Sequence, residues 1–388
     1  MASDSDDPSS SSTMEEITLT PTPLPTLTVD LLVEILCRLP VKLLLQLRCV
    51  CKSWNHIISH PKFAKKHLST TRHLHLVSHS YISGKRTLAS YPLDSIFTGI
   101  TTNVTKFVEY NQKYPRSELD YIVGSCHGIV CFVEYSKNVV LLWNPSIRKF
   151  KRLPPFEMPQ VVTFFMFRMI YAFGYDHVTD DYKVIVALNY EDNSVHPGVR
   201  KTELKVYTLG THCWKSVQEK FPCDVKLRFF DVFESGKFVS GKINWLACKD
   251  WIREKKYSIV SFDLGNESYQ SVLLPNIGEI HDRHKVVLGV LRDCLCLIVR
   301  HDVWIMKEYG NKESWTKLFT TSYLRDPNKA YSLTKAVYIY KDDKVLLQTY
   351  GDWNSKLIVY DYRKSAFKFT KIASSPEVCV ESLISPCS

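Results

Sequence analysis

The stretch Val140-Leu141-Leu142-Trp143-Asn144-Pro145-Ser146-Ile147-Arg148-Lys149-Phe150 decides the fold. A short apolar run ends in an aromatic, Asn-Pro-Ser interrupts it, and Lys149-Phe150 opens a second strand. The same order returns down the chain: 206–210 before Cys213-Trp214, 259–263 before Tyr269, 304–306 before Trp315, and 357–361 before Phe367. The anchor aromatics Phe150, Trp214, Tyr269, Trp315 and Phe367 lie 64, 55, 46 and 52 positions apart. One blade of a β-propeller occupies about 40–50 residues, so about six blades fit between residue 73 and the end. The first would be a degenerate hairpin at 73–93. Residues 378–384 form a fitting last strand, which would share a blade with that hairpin and close the ring, leaving no open sheet edge at the closure. The competing architecture is an irregular β-sandwich or a pair of small β-domains.

Upstream of residue 73 the apolar period is 3.6 instead of 2. Leu32, Ile35, Leu36 and Leu39 fall on one helical face, Thr28 is placed to cap it, and Pro40 ends it. Leu43, Leu47, Val50 and Trp54 form a second run, and 62–68 a third after Pro61. Three helices in about forty residues cannot bury Leu31, Leu32, Leu43, Leu44, Leu45 and Leu47 together, and surplus apolar surface of this kind belongs to a partner. The chain thus divides into an acidic tail at 1–24, a helical module at 25–70 and a mostly β body at 71–388.

Composition narrows the function classes. The chain has 388 residues, 45% apolar and 12% aromatic, with net charge +10. No Lys or Arg precedes Arg38. Residues 38–388 hold all 50 basic groups against 33 carboxylates, which favours an acidic partner surface or nucleic acid. No run reaches the roughly 18–20 apolar residues of a membrane span, and residues 1–24 look like neither a signal nor a transit peptide. The tail reads as disordered. Twelve cysteines without C-x-x-C spacing suit reduced thiols in cytosol or nucleus.

The helical run Asp30-Leu31-Leu32-Val33-Glu34-Ile35-Leu36-Cys37-Arg38-Leu39-Pro40-Val41-Lys42, with Arg48-Cys49-Val50-Cys51-Lys52-Ser53-Trp54 and Pro61-Lys62-Phe63 behind it, resembles a plant F-box. Gly124-Ser125-Cys126-His127-Gly128-Ile129-Val130-Cys131, the Trp143-Asn144-Pro145 segment, Phe173-Gly174-Tyr175-Asp176 and Asp181-Tyr182-Lys183-Val184 resemble the F-box-associated region of the plant F-box/kelch-like family, which includes the S-locus F-box proteins. The chain departs from the usual pattern at Leu27-Thr28, where the family has Leu-Pro, and at Leu43, where it often has Ser. The resemblance implies a three-helix F-box followed by a β-propeller. It further implies a non-catalytic substrate receptor of an SCF-type ubiquitin ligase, without cofactor or metal, in cytoplasm or nucleus. Such a receptor binds a Skp-type adaptor, reaches a cullin through it, and holds a target protein on the propeller. Carried over by position, the adaptor-facing set is Leu27, Leu31, Leu32, Ile35, Leu39, Pro40, Val50, Cys51 and Trp54. Packing of the three helices against one another is the alternative role for some of them.

Other chemistry is weaker. Gly124-Ser125-Cys126-His127-Gly128 has the spacing of a nucleophile elbow, but the apolar run after it reads as a strand where an elbow needs a helix. His67, His73, His75 and His79 crowd together, yet the alternation His73-Leu74-His75-Leu76 is a strand pattern unsuited to a metal site. Asp176, Asp180 and Asp181 read as solvated turn residues. Eight Lys or Arg from Arg38 to Arg72, and the group Trp251, Arg253, Lys255 and Lys256, could serve a substrate or nucleic acid. Neither is an uninterrupted basic run. A propeller hydrolase and a nucleic-acid-binding propeller are therefore the rival readings, and neither accounts for the leucine-rich module.

Overall fold

The computed structural model describes residues 28–70, 73–82, 85–98, 105–110, 121–134, 138–158, 168–191, 200–222, 226–227, 235–248, 257–278, 286–321, 325–326, 329–330, 332–341, 344–351, 354–373 and 376–387. Four helices lead: α1 (Val29–Leu36), α2 (Val41–Leu47), α3 (Lys52–Ser59) and α4 (Pro61–Thr70). Thr28 caps α1, its hydroxyl accepting the Leu31 N–H at 3.4 Å. Four segments stand where three were expected, because the unbroken apolar period from Leu43 to Trp54 hides a break. Cys51 is extended (φ −156°, ψ 165°), and its Sγ accepts the Trp54 N–H at 3.5 Å, starting a new helix.

The rest of the chain forms a six-bladed propeller. Blade 2 shows the plan: antiparallel strands Tyr121–Cys126, Ile129–Glu134, Val139–Asn144 and Lys149–Arg152, counted from the axis outward. Blade 3 (Arg168–Asp176, Asp181–Glu191, Arg200–Thr208, Cys213–Ser216) and blade 5 (Val286–Leu291, Cys294–Val299, Asp302–Met306, Trp315–Thr320) repeat it, as does blade 6 (Ser332–Tyr340, Lys344–Gly351, Asn354–Asp361, Ala366–Ala373). In blade 4 the pieces Lys226–Leu227 and Lys237–Val239 both pair with Lys242–Cys248, followed by Tyr257–Asp263 and Tyr269–Val272. Blade 1 joins both ends of the chain. Pro376–Val380 is its inner strand and pairs with Leu74–Ile82, beyond which lie Lys85–Pro92 and Thr105–Tyr110. The expected closing strand therefore exists but stops at Val380, and residues 381–387 leave the sheet.

All five anchor aromatics fall at the start of outer strands. Phe150 faces Trp143 across the ladder, Trp214 faces Tyr207, Tyr269 faces Phe262, Trp315 faces Met306, and Phe367 faces Tyr360. One buried apolar cluster fills each of the six blade junctions; Trp315 is buried in one and Trp214 and Tyr269 pack against two others, whereas Phe150 and Phe367 stay exposed. A seventh cluster, centred on Leu36, Cys37, Leu44, Ile58 and Phe63, is the core of the helical module.

Candidate functional site

The helical module carries the densest exposed apolar surface. Leu36 and Leu44 are completely enclosed, while Leu31, Ile35, Leu43 and Val50 remain 56%, 50%, 39% and 63% exposed, with Val29 beside them. Helical geometry makes the split: α1 turns Leu36 inward while Leu31 and Ile35, four apart, share its outer face. The structure divides the nine adaptor-facing candidates. Leu31, Ile35, Pro40, Val50 and Cys51 lie on the surface. Leu32, Leu39 and Trp54 pack against the module's core and are only partly open, so they support the fold. Leu27 lies outside the described residues. Val29 was missed because it precedes the first clear helical repeat.

The basic surface around these groups is partly neutralised. Lys66 pairs with Glu34, Lys65 with Asp180, and Arg48 donates to Asn55 Oδ1 at 3.1 Å. Arg38, Lys42, Lys52 and Lys62 stay exposed. Trp251, Arg253, Lys255 and Lys256 lie outside the described residues.

The Gly124–Gly128 segment is a hairpin, not an elbow. His127 and Gly128 take φ of 49° and 84° and turn Tyr121–Cys126 directly into Ile129–Glu134. Burial pushes the Cys126 thiol far above its ordinary value, the opposite of what a nucleophile needs. Burial, followed by the nearby His177 and Lys65 charges, pulls His127 down, and its Nδ1 lies 3.1 Å from the Tyr182 hydroxyl. Among the described residues no group of His, Cys, Asp and Glu could hold a metal. His67 bonds the Leu39 carbonyl through Nε2 at 2.8 Å, and His75 lies 3.0 Å from both Ser90 Oγ and Glu381 Oε1.

One reading of the turn carboxylates is overturned. Asp176 is not solvated: it is 1% exposed and salt-bridged to Lys183 at 2.9 Å, and it accepts from Val178 N and Thr179 Oγ1. Lys183 also donates to Leu264 O at 2.6 Å, tying blade 3 to blade 4. Sequence distance between Lys183 and Leu264 hid this tie. Among the described residues no helix is long and apolar enough to cross a membrane.

Comparison with known proteins follows the same division of the chain. Residues 24–66 match the F-box domain, and residues 91–386 match the F-box associated beta propeller domain. An F-box/kelch-repeat protein of Arabidopsis thaliana is 33% identical over 317 residues, covering 77% of this chain and 80% of that protein. The Arabidopsis F-box protein CPR1 is 28% identical over 387 residues, covering 93% and 89%. Among solved structures, TolB from Acinetobacter baumannii is a distant likeness at 12% identity and TM-score 0.43, covering 79% of this chain and 66% of that one.

Proposed function

This chain belongs to the plant F-box proteins that carry an F-box-associated β-propeller, and we propose that it is the substrate-receptor subunit of an SCF-type ubiquitin ligase. The observation that carries the reading is the uncovered array of Leu31, Ile35, Leu43 and Val50 on the F-box. Apolar anchors at helical spacing suit a partner that closes over a helix face, and a Skp-type adaptor is the partner this family implies. A cullin would follow through that adaptor. The exposed Arg38, Lys42, Lys52 and Lys62 beside the array would steer an acidic adaptor into place.

The propeller's topology supports a target site on its far side. Strands alternate in direction, so the turns at 127–128 and 177–180 open on one face, and the strand ends Glu134, Glu191, Cys248, Val299 and Gly351 open on the other. The F-box sits on the first face, where Lys65 meets Asp180. The described strand ends that flank 156–170, 190–201, 249–257, 276–285 and 321–332 lie on the second face, while most of those stretches fall outside the described residues. In this reading the chain makes no bond itself. It raises the effective concentration of a target lysine near a ligase-bound conjugating enzyme.

The test is direct binding between the purified full-length chain and a recombinant Skp-type adaptor. A stable one-to-one complex that also captures a cullin is the expected result. Failure of several Skp-type adaptors to bind a folded chain would overturn the proposal.

A further inference from the structure

Only residues 71–73 join α4 to the first propeller strand. A link that short restricts distance, but it leaves the F-box free to swivel unless other contacts hold it. Three stretches supply those contacts.

The first is α4 itself, which belongs to two cores. Phe63 is buried in the F-box cluster, whereas Ala64 is buried in the cluster between blades 2 and 3, with Leu68 packed against it. The second is the chain's end. After Val380 the backbone leaves blade 1, with the Glu381 N–H donating to His73 O at 2.8 Å. Buried Asn144 then donates to Ser382 O at 3.0 Å and to Ile384 O at 2.7 Å, fixing the segment on blade 2. Leu383 between them packs against both the F-box core and the blade 2–3 core. The third is the turn at 177–180. Its Asp180 pairs with Lys65 of α4 and accepts the Tyr175 hydroxyl.

Glu381 also ties the end of the chain to blade 1, its carboxylate lying 3.0 Å from His75 Nε2.

We propose that Lys65, Asp180 and Leu383 are positioning residues that clamp the F-box at one angle on the propeller, so that adaptor and target surfaces keep a fixed separation. The inference rests on the receptor reading. Its structural content is a rigid junction built from α4, the 177–180 turn and residues 381–384. A fixed separation would limit which target lysines come within reach of the conjugating enzyme.

The experiment measures distance by pulsed electron paramagnetic resonance on the full-length chain, free and bound to a recombinant Skp-type adaptor. Spin labels go on a noncanonical amino acid at exposed Gln46 of α2 and exposed Glu313 of blade 5, sparing the native thiols. The unaltered junction should give one narrow distribution. Lys65→Asp with Leu383→Gly should at least double its width, and adding Asp180→Lys, which restores opposite charges, should narrow it again. Adaptor affinity should change less than threefold throughout. A broad distribution in the unaltered chain, or an unchanged width in both the double variant and Lys65→Asp alone, would overturn the clamp. Should no adaptor bind, the receptor reading fails, while the widths in the free chain still decide the clamp.

Discussion

Ile35→Asp separates adaptor binding from folding. Ile35 is half exposed on α1, and fully burying such a side chain contributes about 1.5–3 kcal/mol, so a partner covering the remaining half gains about 1 kcal/mol. Leu31, Leu43 and Val50 offer similar areas, which brings the four to about 3–5 kcal/mol of apolar contact. Aspartate forfeits the Ile35 share and places an unpaired carboxylate under the partner, at a further cost of about 2–3 kcal/mol. The total of about 3–4 kcal/mol weakens adaptor affinity by roughly 150- to 1,000-fold. Because the site faces water in the free chain, stability should change by less than about 1 kcal/mol. Leu39→Asp and Trp54→Ala should also abolish binding, but those side chains pack on the F-box core, so part of their effect would be unfolding. Titration calorimetry with a recombinant adaptor, paired with thermal melts, reads both quantities. Affinity within threefold of the unaltered chain for Ile35→Asp would refute the assignment of this face.

Two further outcomes follow from the junction and its neighbouring hairpin. Gly128→Ala should destabilise the propeller by about 2–4 kcal/mol, because φ of 84° disfavours a side chain and the new Cβ would lie 2.5 Å from Ser382 Cβ. A melting midpoint lowered by about 5 °C or more is expected, and an unchanged midpoint would contradict the packing described. Burial opposes ionisation of Glu381. The hydrogen bond from His75, the His75 and His73 charges and the Val41 N–H outweigh it, so the carboxyl lies below its ordinary 4.5. A depressed carboxyl contributes stability that is present above the unfolded value and is lost as pH falls through the folded one. The gap in melting midpoint between the native chain and Glu381→Gln should therefore close as pH falls below about 4.5. A gap independent of pH would show that Glu381 acts only through shape.

What could be read from the sequence was whatever repeats locally. Strand, turn and anchor aromatic recur because each blade repeats one strand order, so Phe150, Trp214, Tyr269, Trp315 and Phe367 mark five outer strands. The F-box face was legible for a related reason. Leu31, Leu32, Leu43, Leu44, Leu45 and Leu47 are too many leucines for a forty-residue core, and the fold encloses Leu44, half-buries Leu32, Leu45 and Leu47, and leaves Leu31 and Leu43 outside. The break at Cys51 was not legible, since a thiol cap leaves the apolar period from Leu43 to Trp54 intact.

The junction was invisible for a deeper reason. Its contacts join residues far apart in the chain: Lys65 with Asp180, Asn144 with Ser382, and Leu383 with the F-box core. Neither a 3.6 nor a 2.0 period encodes such pairs, and each side chain alone looks like an ordinary surface group. Asp180 read as a solvated turn residue, and Ser382 as part of a closing strand. Ring closure brings them together: once Pro376–Val380 enters blade 1, the residues behind it must leave on the F-box side. Leu383 then meets two apolar clusters at once and gains from both. The strand that completes the propeller thus leads directly into the residues that seat the F-box, which couples closure of the ring to the orientation of the helical module.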